Sequence, residues 1–400
     1  MNGERLCVLP AGTLIGWLER DGRAEQPSFT YEPEYVRSGT VTLSARLPLT
    51  TATTPPRGVA PYLHGLLSES ESTRERWAIR TGANADDPFG MLASMGWDHV
   101  EVNEADIARR LRDLRHDPAS WTMPAEHWSL GGQQEKFALA RIGGRWHEAH
   151  GAAATTHIVK PGIRHQQNQA LVEHVTMSAA AALGLEIAGS TFVKFEDEWA
   201  IVVERFDRFG MGGGGIRRLR QEDFCQALGR MPSAKYEQRG GPTLGDMVRV
   251  IRQESTRQES DILAVSDFLI INVVAGAPDG HSKNISTLRS AGATWVAPLY
   301  DLAAGLLYDS RDVDRSVAVS VGGERSVARI RQRQWDKAAT TLGLSVDLLT
   351  ARVSHLARGF PKAFESAVHS MIAVPGSEAV LERALKNLTP HCGRILAQLG

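Results

Sequence analysis

Hydrophobic and polar residues alternate with a period of two over several short segments, a pattern typical of half-buried β-strands. Other segments place apolar residues three and four positions apart, which is the spacing of an amphipathic helix. The strands predicted from alternation cover residues 6–9, 13–18, 41–47, 137–142, 156–160, 191–195, 200–206 and 295–299. The predicted helices cover residues 61–81, 89–95, 104–114, 169–183, 244–254, 261–274, 334–341, 345–359 and 377–399. The glycine- and alanine-rich segments are predicted to be loops, at residues 143–154 and 211–215.

The order of these elements divides the chain. Two strands, a helix and two more strands follow one another between residues 137 and 206, which is the order of the N-lobe of a protein kinase, and helices dominate after residue 208. We therefore predict an α+β, bilobal protein-kinase-like fold. Its predicted parts are a small α+β subdomain at 1–103, a linker helix and boundary at 104–125, a kinase-like N-lobe at 126–206 and a mostly helical C-lobe at 207–400.

The composition is that of an ordinary globular chain. Of 400 residues, 42% are hydrophobic and 23% are charged, and 45 Lys and Arg nearly balance 46 Asp and Glu. A formal charge of -1 argues against direct binding to nucleic acid or to anionic lipid. Because no apolar run is long enough for a signal peptide or a membrane span, we expect a cytoplasmic protein with no membrane partner.

The three cysteines, Cys7, Cys225 and Cys392, are far apart in the chain and include no CxxC pair. This spacing argues against a disulfide framework and against a zinc site built from cysteines. We predict that all three are buried thiols.

The segment PDGHSKN at residues 278–284 places an acid, a histidine, a cation and an amide within seven positions. Phosphoryl transfer needs a carboxylate that accepts the proton of the attacking hydroxyl, and it needs oxygen ligands for magnesium. Asp279 suits the first role and Asn284 the second, while Asp301 follows a predicted strand and suits metal binding. Either aspartate alone could equally begin a turn, but their combination favours a catalytic site.

Several segments of the predicted N-lobe are suited to binding phosphate and nucleotide. Residues 129–136 (SLGGQQEK) form a glycine-containing loop whose backbone N–H groups could approach a phosphate, although a simple hairpin turn is the alternative. Lys160 ends a strand and offers a compact charge. Glu173, on the next helix, either pairs with Lys160 or is exposed to solvent. Residues 202–208 (VVERFDR) would form a nucleotide hinge, unless their charges only form salt bridges.

The chain resembles the HipA family of bacterial serine/threonine kinase toxins. The resemblance spans residues 129 to about 307 and lies in six ordered segments, namely SLGGQQEK, THIVK, VVERFDR, residues 221–242, GAPDGHSKN and APLYDL. LSARLPL at 43–49 and PFGMLASMG at 88–96 are more loosely similar to the N-terminal subdomain of that family. Pro278 and Ala277 depart from the usual threonine and asparagine, and we expect the loss of a backbone donor at Pro278 to lower the catalytic rate.

The resemblance implies a role for each matching residue. Asp279 would be the catalytic base, Asn284 and Asp301 would hold magnesium, and Lys160 would contact an ATP phosphate. Ser129 would be autophosphorylated, which adds nearly two negative charges where the ATP phosphates must lie, although it could also be a plain turn residue. The other residues assigned to the nucleotide are Gly131, Gly132, Gln133, Gln134, Glu135, Lys136, Glu204, Arg205, Phe206, His281 and Lys283.

The resemblance also implies a biological role. The protein would be the kinase toxin of a type II toxin-antitoxin system, and it would use ATP and Mg²⁺ to phosphorylate a translation-related protein such as an aminoacyl-tRNA synthetase. Its partners would be a HipB-like helix-turn-helix antitoxin and, through that antitoxin, operator DNA. Residues 221–242 are predicted to meet the protein substrate. The alternatives are a non-catalytic corepressor that binds the antitoxin and a small-molecule kinase of related fold.

Overall fold

The chain forms two compact units, each of which is discontinuous in sequence. One comprises residues 1–161, 193–233 and 288–294, and the other comprises residues 162–192, 234–287 and 295–400. The predicted domain boundaries, which assume contiguous parts, stay a prediction. The computed structural model describes residues 4–8, 14–22, 26–39, 41–67, 71, 74–75, 78–79, 82–92, 97–116, 136–151, 153–163, 166–210, 216–290, 292–308 and 316–399.

Strands and helices are mixed along the whole chain. The strands are β1 (Glu4–Val8), β2 (Gly16–Arg20), β3 (Ser28–Tyr31), β4 (Trp97–Glu101), β5 (Phe137–Ile142), β6 (Arg145–Gly151), β7 (His157–Lys160), β8 (Ser190–Phe195), β9 (Glu198–Glu204), β10 (Arg208–Gly210), β11 (Ile216–Arg218), β12 (Arg220–Asp223), β13 (Ser286–Ser290), β14 (Ala293–Val296), β15 (Ser316–Val321) and β16 (Glu324–Ser326). The helices are α1 (Pro33–Ser38), α2 (Pro56–Gly65), α3 (Pro88–Leu92), α4 (Glu104–His116), α5 (Gln169–Ala182), α6 (Phe224–Ala227), α7 (Leu244–Glu254), α8 (Gln258–Val274), α9 (Gln332–Leu342), α10 (Val346–Ser370), α11 (Ser377–Arg383) and α12 (Thr389–Ala397). Shorter helical turns lie at Pro232–Ala234, Glu237–Arg239, Gly305–Leu307 and Ala384–Leu388.

The first unit begins with the antiparallel sheet β1–β2–β3, in which Leu18 pairs with Leu6 on one side and with Phe29 on the other. Burial alternates along β2, as the period of two requires for a sheet with one face on a core. Tyr31 is buried beside Phe29, and its hydroxyl donates to the carbonyl of Leu47 at 2.9 Å. Burial raises the pKa of Tyr31 to about 12.

A six-stranded sheet with the order β4-β6-β5-β7-β9-β8 forms the second part of the first unit. Helix α4 covers it with an apolar stripe, because its apolar residues recur three or four positions apart. The buried residues shared by α4 and the sheet include Ile107, Leu111, Leu114, Phe137, Leu139, Val159 and Val202. This core holds the strands β7 and β9, which end at Lys160 and Glu204.

A buried carboxylate joins the N-terminal segment to the sheet β12-β13-β14. Glu222 accepts hydrogen bonds from the hydroxyl of Ser44 and from the N–H of Ala45 at 3.0 Å, and Arg289 Nη2 lies 3.4 Å from it. Burial raises the pKa of Glu222 although Arg289 opposes the shift. A buried charge is tolerated only when such partners surround it, so this contact depends on all of them.

The second unit is built around the long helix α10, which contacts α5, α8, α9, α11 and α12. Its buried residues lie three and four positions apart, at Leu349, Val353, Leu356, Phe360, Phe364 and Val368. Ser345 begins the helix, because its hydroxyl accepts a hydrogen bond from the N–H of Leu348 at 3.2 Å.

Several predicted elements match their observed bounds, including β5 and α7. The predicted strand at 41–47 is wrong, because Ser44 and Ala45 bond to Glu222 and only a bridge joins Ser44 to Leu47. The predicted loop at 143–154 is also wrong. It contains β6, and Gly143 and Gly144 make the hairpin turn with φ of 59° and 81°.

Burial and helix length also correct the sequence predictions. Cys7 is exposed on β1, whereas Cys225 and Cys392 are buried as predicted. Burial raises the pKa of the Cys392 thiol to about 12. Helix α10 continues to Ser370 instead of ending at 359, and the helix predicted at 377–399 is interrupted by the π-helical turn Ala384–Leu388. The predicted helical C-lobe also contains several short strands beyond residue 208.

Candidate active site

The segment 278–284 lies in the second unit, directly after the buried helix α8. Gly276 has φ of 58°, and a Cβ at this position would overlap the Leu306 side chain, so only glycine fits this turn. The N–H of Ala277 donates to the carbonyl of Asn272 at 2.8 Å. These contacts fix the direction in which the chain leaves the helix.

Asn272 and Gly280 are in close contact inside this turn. Asn272 is 4% exposed, and its Nδ2 donates to the carbonyl of Phe268 at 2.7 Å. A Cβ on Gly280 would overlap the Asn272 amide group. Within the described part of the chain, no group donates a hydrogen bond to Asn272 Oδ1. A buried acceptor that receives no hydrogen bond costs free energy of folding. The close approach of the loop to Asn272 therefore carries an energetic cost.

Asp279 points its carboxylate outward from the loop, with 64% of the side chain exposed. The Tyr236 hydroxyl donates to Asp279 Oδ1 at 2.6 Å, and His281 Nε2 lies 3.5 Å from the same oxygen. His281 itself is 4% exposed, and its ring meets the Tyr236 ring edge to face at 5.1 Å. The predicted base is therefore accessible and held by a neighbouring tyrosine.

Asn284 closes the loop. Its Nδ2 donates to the carbonyl of Asp279 at 2.7 Å, and its N–H donates to the carbonyl of His281 at 2.8 Å. This orientation of the amide leaves Oδ1 as the acceptor that a cation could use. Lys283 is buried, and its carbonyl accepts from the Tyr300 hydroxyl at 2.7 Å.

Asp301 has a left-handed backbone with φ of 59°, which is uncommon for a residue other than glycine. The chain before it is tied at Leu299, whose N–H donates to the carbonyl of Glu186 and whose carbonyl accepts from Ala188, both at 2.8 Å. A strained residue of this kind often serves a functional site.

The oxygen atoms of Asn284 and Asp301 are the hard donors that Mg²⁺ prefers. No cluster of three or more His, Cys, Asp or Glu that could hold a metal occurs among the described residues. Magnesium is commonly held by one or two carboxylates together with substrate phosphates and water, so the donor set fits that metal.

The predicted nucleotide residues of the first unit lie on neighbouring antiparallel strands, and the last residues of β7 and β9 are at opposite ends of their pairing. Lys160 ends β7, is 6% exposed and pairs with Ile201 of β9. Glu204 ends β9 and is exposed, and Phe206 is half-buried in the turn that follows. Lys136 is half-buried just before β5. The other glycine-loop residues lie outside the described residues and stay predictions, namely Ser129, Gly131, Gly132, Gln133, Gln134 and Glu135.

Arg205 is bound to its own turn. Its Nε and Nη2 donate to Asp207 at 3.1 and 3.0 Å, its Nη1 donates to Thr155 at 3.1 Å, and its backbone N–H donates to the carbonyl of Thr156 at 2.9 Å. Arg208 adds a second guanidinium to Asp207 at 2.5 Å. Arg205 thus shapes the predicted hinge with the salt bridges that were the alternative interpretation of this segment.

The charges of this turn are strongly coupled. Burial acts to raise the pKa of Asp207, but Arg205 and Arg208 outweigh it and hold that pKa below its ordinary value. Burial, together with repulsion from Arg205, lowers the pKa of Arg208 to about 9.

The structure bears on two further expectations. Glu173 is fully buried and accepts from Gln169 Nε2 at 3.4 Å, so the prediction of an exposed glutamate is wrong, and its pairing with Lys160 stays a prediction. The role of residues 221–242 toward the protein substrate stays a prediction. In the first part of this segment Asp223 and Gln226 form a capping box, and Gln226 donates to the carbonyl of Tyr62 at 3.0 Å.

Sequence reasoning missed Tyr236 and Asn272. Both residues precede PDGHSKN in the chain, and neither belongs to a residue class that suggests a catalytic role by itself. Tyr236 does lie in the segment KYEQRGGP, which supported the resemblance, but nothing in that segment indicates contact with Asp279.

Comparison with known proteins shows the family of this chain. The family model of the HipA-like C-terminal domain matches residues 128–364, and that of the HipA N-terminal domain matches residues 6–100. The protein Y4mE of Sinorhizobium fredii, whose name assigns it provisionally as a kinase, is 31% identical over 370 residues, which cover 86% of this chain and 87% of that protein. The serine/threonine-protein kinase toxin HipA of Shewanella oneidensis is 27% identical over 96% of this chain and 94% of its own length.

A solved structure shares the whole fold. The Shewanella oneidensis MR-1 complex of HipA, HipB and operator DNA contains a chain that matches with a TM-score of 0.83 and 23% identity, covering 100% of this chain and 98% of that one. The predicted α+β, kinase-like fold is thereby confirmed. The fold and the loop around Asp279 define a chain of the kinase-like class with a HipA architecture.

The chain belongs to the HipA family, as the resemblance in its motifs predicted. Among its described helices, none has the length and apolar character needed to span a lipid bilayer.

We expect Asp207→Asn to lower the free energy of unfolding by roughly 3–5 kcal/mol at pH 7, because two guanidinium groups lose their buried counter-charge. The effect depends on pH. Since the folded pKa of Asp207 is depressed, the ion pair contributes fully above the unfolded value of about 3.9 and is lost as pH falls through the folded value. Urea denaturation at pH 7 and at pH 3 measures the loss of unfolding free energy and its dependence on pH.

The matched control for Asp207→Asn is Asp197→Asn, which removes an exposed partner of Arg112 and costs at most about 1 kcal/mol at either pH. Equal losses from the two variants at pH 7 would contradict the role given to Asp207.

We expect Gly280→Ala to destabilise the protein by about 1–3 kcal/mol, because the new methyl group overlaps Asn272. Thermal denaturation measures this change. Gly393→Ala is the control, since that position in α12 has open space and alanine favours a helix by up to about 1 kcal/mol. If Gly280→Ala melts like the unmodified protein, the close contact does not constrain the loop.

Proposed function

We propose that this chain is an ATP-dependent serine/threonine protein kinase and the toxin of a type II toxin-antitoxin system. The observation that carries the proposal is the solvent-facing carboxylate of Asp279, which is held by Tyr236 in a loop closed by Asn284. Family membership supports it, since relatives covering most of the chain are named as kinases.

Asp279 would act as the general base. It accepts the proton of the substrate hydroxyl while that oxygen bonds to the γ-phosphorus of ATP and ADP leaves, a role that contributes roughly 10²–10⁴ in rate. Bound Mg²⁺ neutralises charge on the phosphates, and Asn284 and Asp301 would hold it. Lys160 would place its point charge on an ATP phosphate.

The remaining nucleotide residues would support binding. Glu204 and Phe206 follow β9 and would meet the adenine, with Arg205 shaping their turn through Asp207. His281 and Lys283 are almost completely buried, so they would act from inside the loop. The glycine loop, residues 131–136, would cover the phosphates, and phosphate on Ser129 would repel them and inactivate the kinase.

The proposed partners follow from the family. The Shewanella HipA structure contains HipB and operator DNA, and we infer a similar helix-turn-helix antitoxin for this chain. A net charge of -1 favours contact with DNA through that antitoxin rather than direct binding. The protein substrate would be a translation-related protein such as an aminoacyl-tRNA synthetase, which places the reaction in the cytoplasm.

Intact-mass and peptide mass spectrometry after dephosphorylation and incubation with Mg-ATP tests the proposal. We expect one phosphate on Ser129 in the unmodified protein and in Asp197→Asn, and a loss of at least about 100-fold in rate for Asp279→Asn because the base is gone. Phosphate on Asp279→Asn at the normal rate would contradict the base assignment.

A thermal-shift titration with Mg-ATP separates the alternatives. Binding to the folded state raises the melting temperature of both the unmodified protein and Asp279→Asn. A protein that neither takes up phosphate nor shifts at saturating Mg-ATP would be the non-catalytic corepressor, and our proposal would be wrong.

We expect Asp301→Asn to raise the Mg²⁺ concentration for half-maximal rate by roughly 10-fold or more, because a neutral amide replaces a charged oxygen ligand. Asparagine also tolerates the left-handed backbone at this position, so the fold should remain intact. The measurement is the initial rate at fixed ATP over a range of Mg²⁺. An unchanged magnesium dependence would remove Asp301 from the metal site.

A further inference from the structure

The hydrogen bond between Tyr236 and Asp279 joins the predicted base to a segment that is 43 residues away in sequence. Both residues belong to the second unit. The distance of 2.6 Å between Tyr236 Oη and Asp279 Oδ1 is that of a strong hydrogen bond to an ionised acceptor. The carboxylate nevertheless remains 64% exposed, so a hydroxyl arriving from outside can still reach it.

A hydrogen bond from the catalytic loop holds the segment that carries Tyr236. Ser282 is fully buried, and its hydroxyl donates to the carbonyl of Lys235 at 2.8 Å. The carbonyl of Tyr236 accepts from the N–H of Arg239 at 2.9 Å and from the N–H of Gly241 at 3.0 Å. A Cβ on Gly241 would overlap the carbonyl of Ala234, so the turn closes tightly.

The same segment is also held on its far side. Glu237 accepts from the N–H and the hydroxyl of Ser320 at 2.6 and 2.7 Å, and Arg325 donates to Gln238. The Tyr236 ring has Lys235 Nζ and Arg239 Cζ at 5.6 Å from its centroid. Because its backbone and ring are constrained on several sides, Tyr236 presents its hydroxyl in a fixed position.

We propose that Tyr236 is a positioning residue for phosphoryl transfer, and that its hydroxyl fixes the orientation of the Asp279 carboxylate. The inference rests on the proposed function, because it assumes that Asp279 is the base. Without the hydroxyl, the carboxylate loses the contact that holds it in one orientation toward the substrate hydroxyl.

The contact predicts the kinetic effect of Tyr236→Phe, which keeps the ring and removes only the hydroxyl. We expect kcat for ATP turnover, measured as self-phosphorylation plus released phosphate, to fall by roughly 10-fold while KM for Mg-ATP changes little, because the base is less well oriented.

Tyr300→Phe is the matched control, because its hydroxyl donates to the carbonyl of Lys283 in the same loop and not to Asp279. A variant that only loosens the loop lowers the melting temperature without a selective loss of kcat. We expect that result for Tyr300→Phe and the roughly 10-fold loss of kcat at nearly unchanged KM only for Tyr236→Phe. An unchanged kcat, or a faster reaction, in Tyr236→Phe would overturn the positioning role.

Unfolding measurements test the contact without any need for turnover. We expect the losses in melting temperature for Tyr236→Phe and Asp279→Ala to be non-additive, whereas those for Tyr300→Phe and Asp279→Ala should be more nearly additive. Additive losses in the first pair would show that the hydrogen bond is absent.

The two hypotheses fail in different ways. If the unmodified protein turns over no ATP, the proposed function fails and the inference falls with it. If the unmodified protein is active, Asp279→Asn is inactive and Tyr236→Phe keeps the normal kcat, then only the inference about Tyr236 is wrong.

Discussion

The contact between Gly280 and the buried amide of Asn272 determines the shape of the loop that carries Asp279. The absence of a Cβ at Gly280 lets the loop lie directly on helix α8, and the amide of Asn272 is held by the carbonyl of Phe268. Once the loop lies there, Asn284 can bond to the carbonyl of Asp279 and Ser282 can bond to the carbonyl of Lys235. The position of the Asp279 carboxylate thus depends on a buried contact made one residue away from it.

In the first unit, buried ion pairs hold segments of the chain in place. Asp207 holds Arg205 and Arg208 in the turn after β9, and Glu222 holds Ser44, Ala45 and Arg289 where the N-terminal segment meets β12. Hydrophobic burial is not directional, whereas these hydrogen-bonded charges have fixed geometry. They therefore determine how strand ends and segments meet after the hydrophobic cores have formed.

Site residues that are close together in sequence could be predicted, whereas those that meet only in the folded chain could not. Asp279, Asn284 and Asp301 were predicted from sequence because they lie within 23 residues and combine acid and amide groups in a pattern that suits phosphoryl transfer. Tyr236 carries no such pattern, and only folding brings its hydroxyl to Asp279. Arg205 shows the opposite case, since its sequence position suggested the nucleotide while its guanidinium is used by Asp207 and Thr155.

The amino-acid sequence by itself determined the elements whose periodicity is local, such as β5 and α7, together with the family and the candidate residues of the catalytic loop. Only the tertiary structure decided that Glu173 is buried, that Cys7 is exposed, that residues 41–47 form no strand and that Tyr236 bonds to Asp279. The physical reason is the separation in sequence between the residues that interact. Helix and strand periods reflect neighbours a few positions apart, whereas burial and hydrogen-bond partners depend on residues that are distant in sequence and meet only in the folded chain.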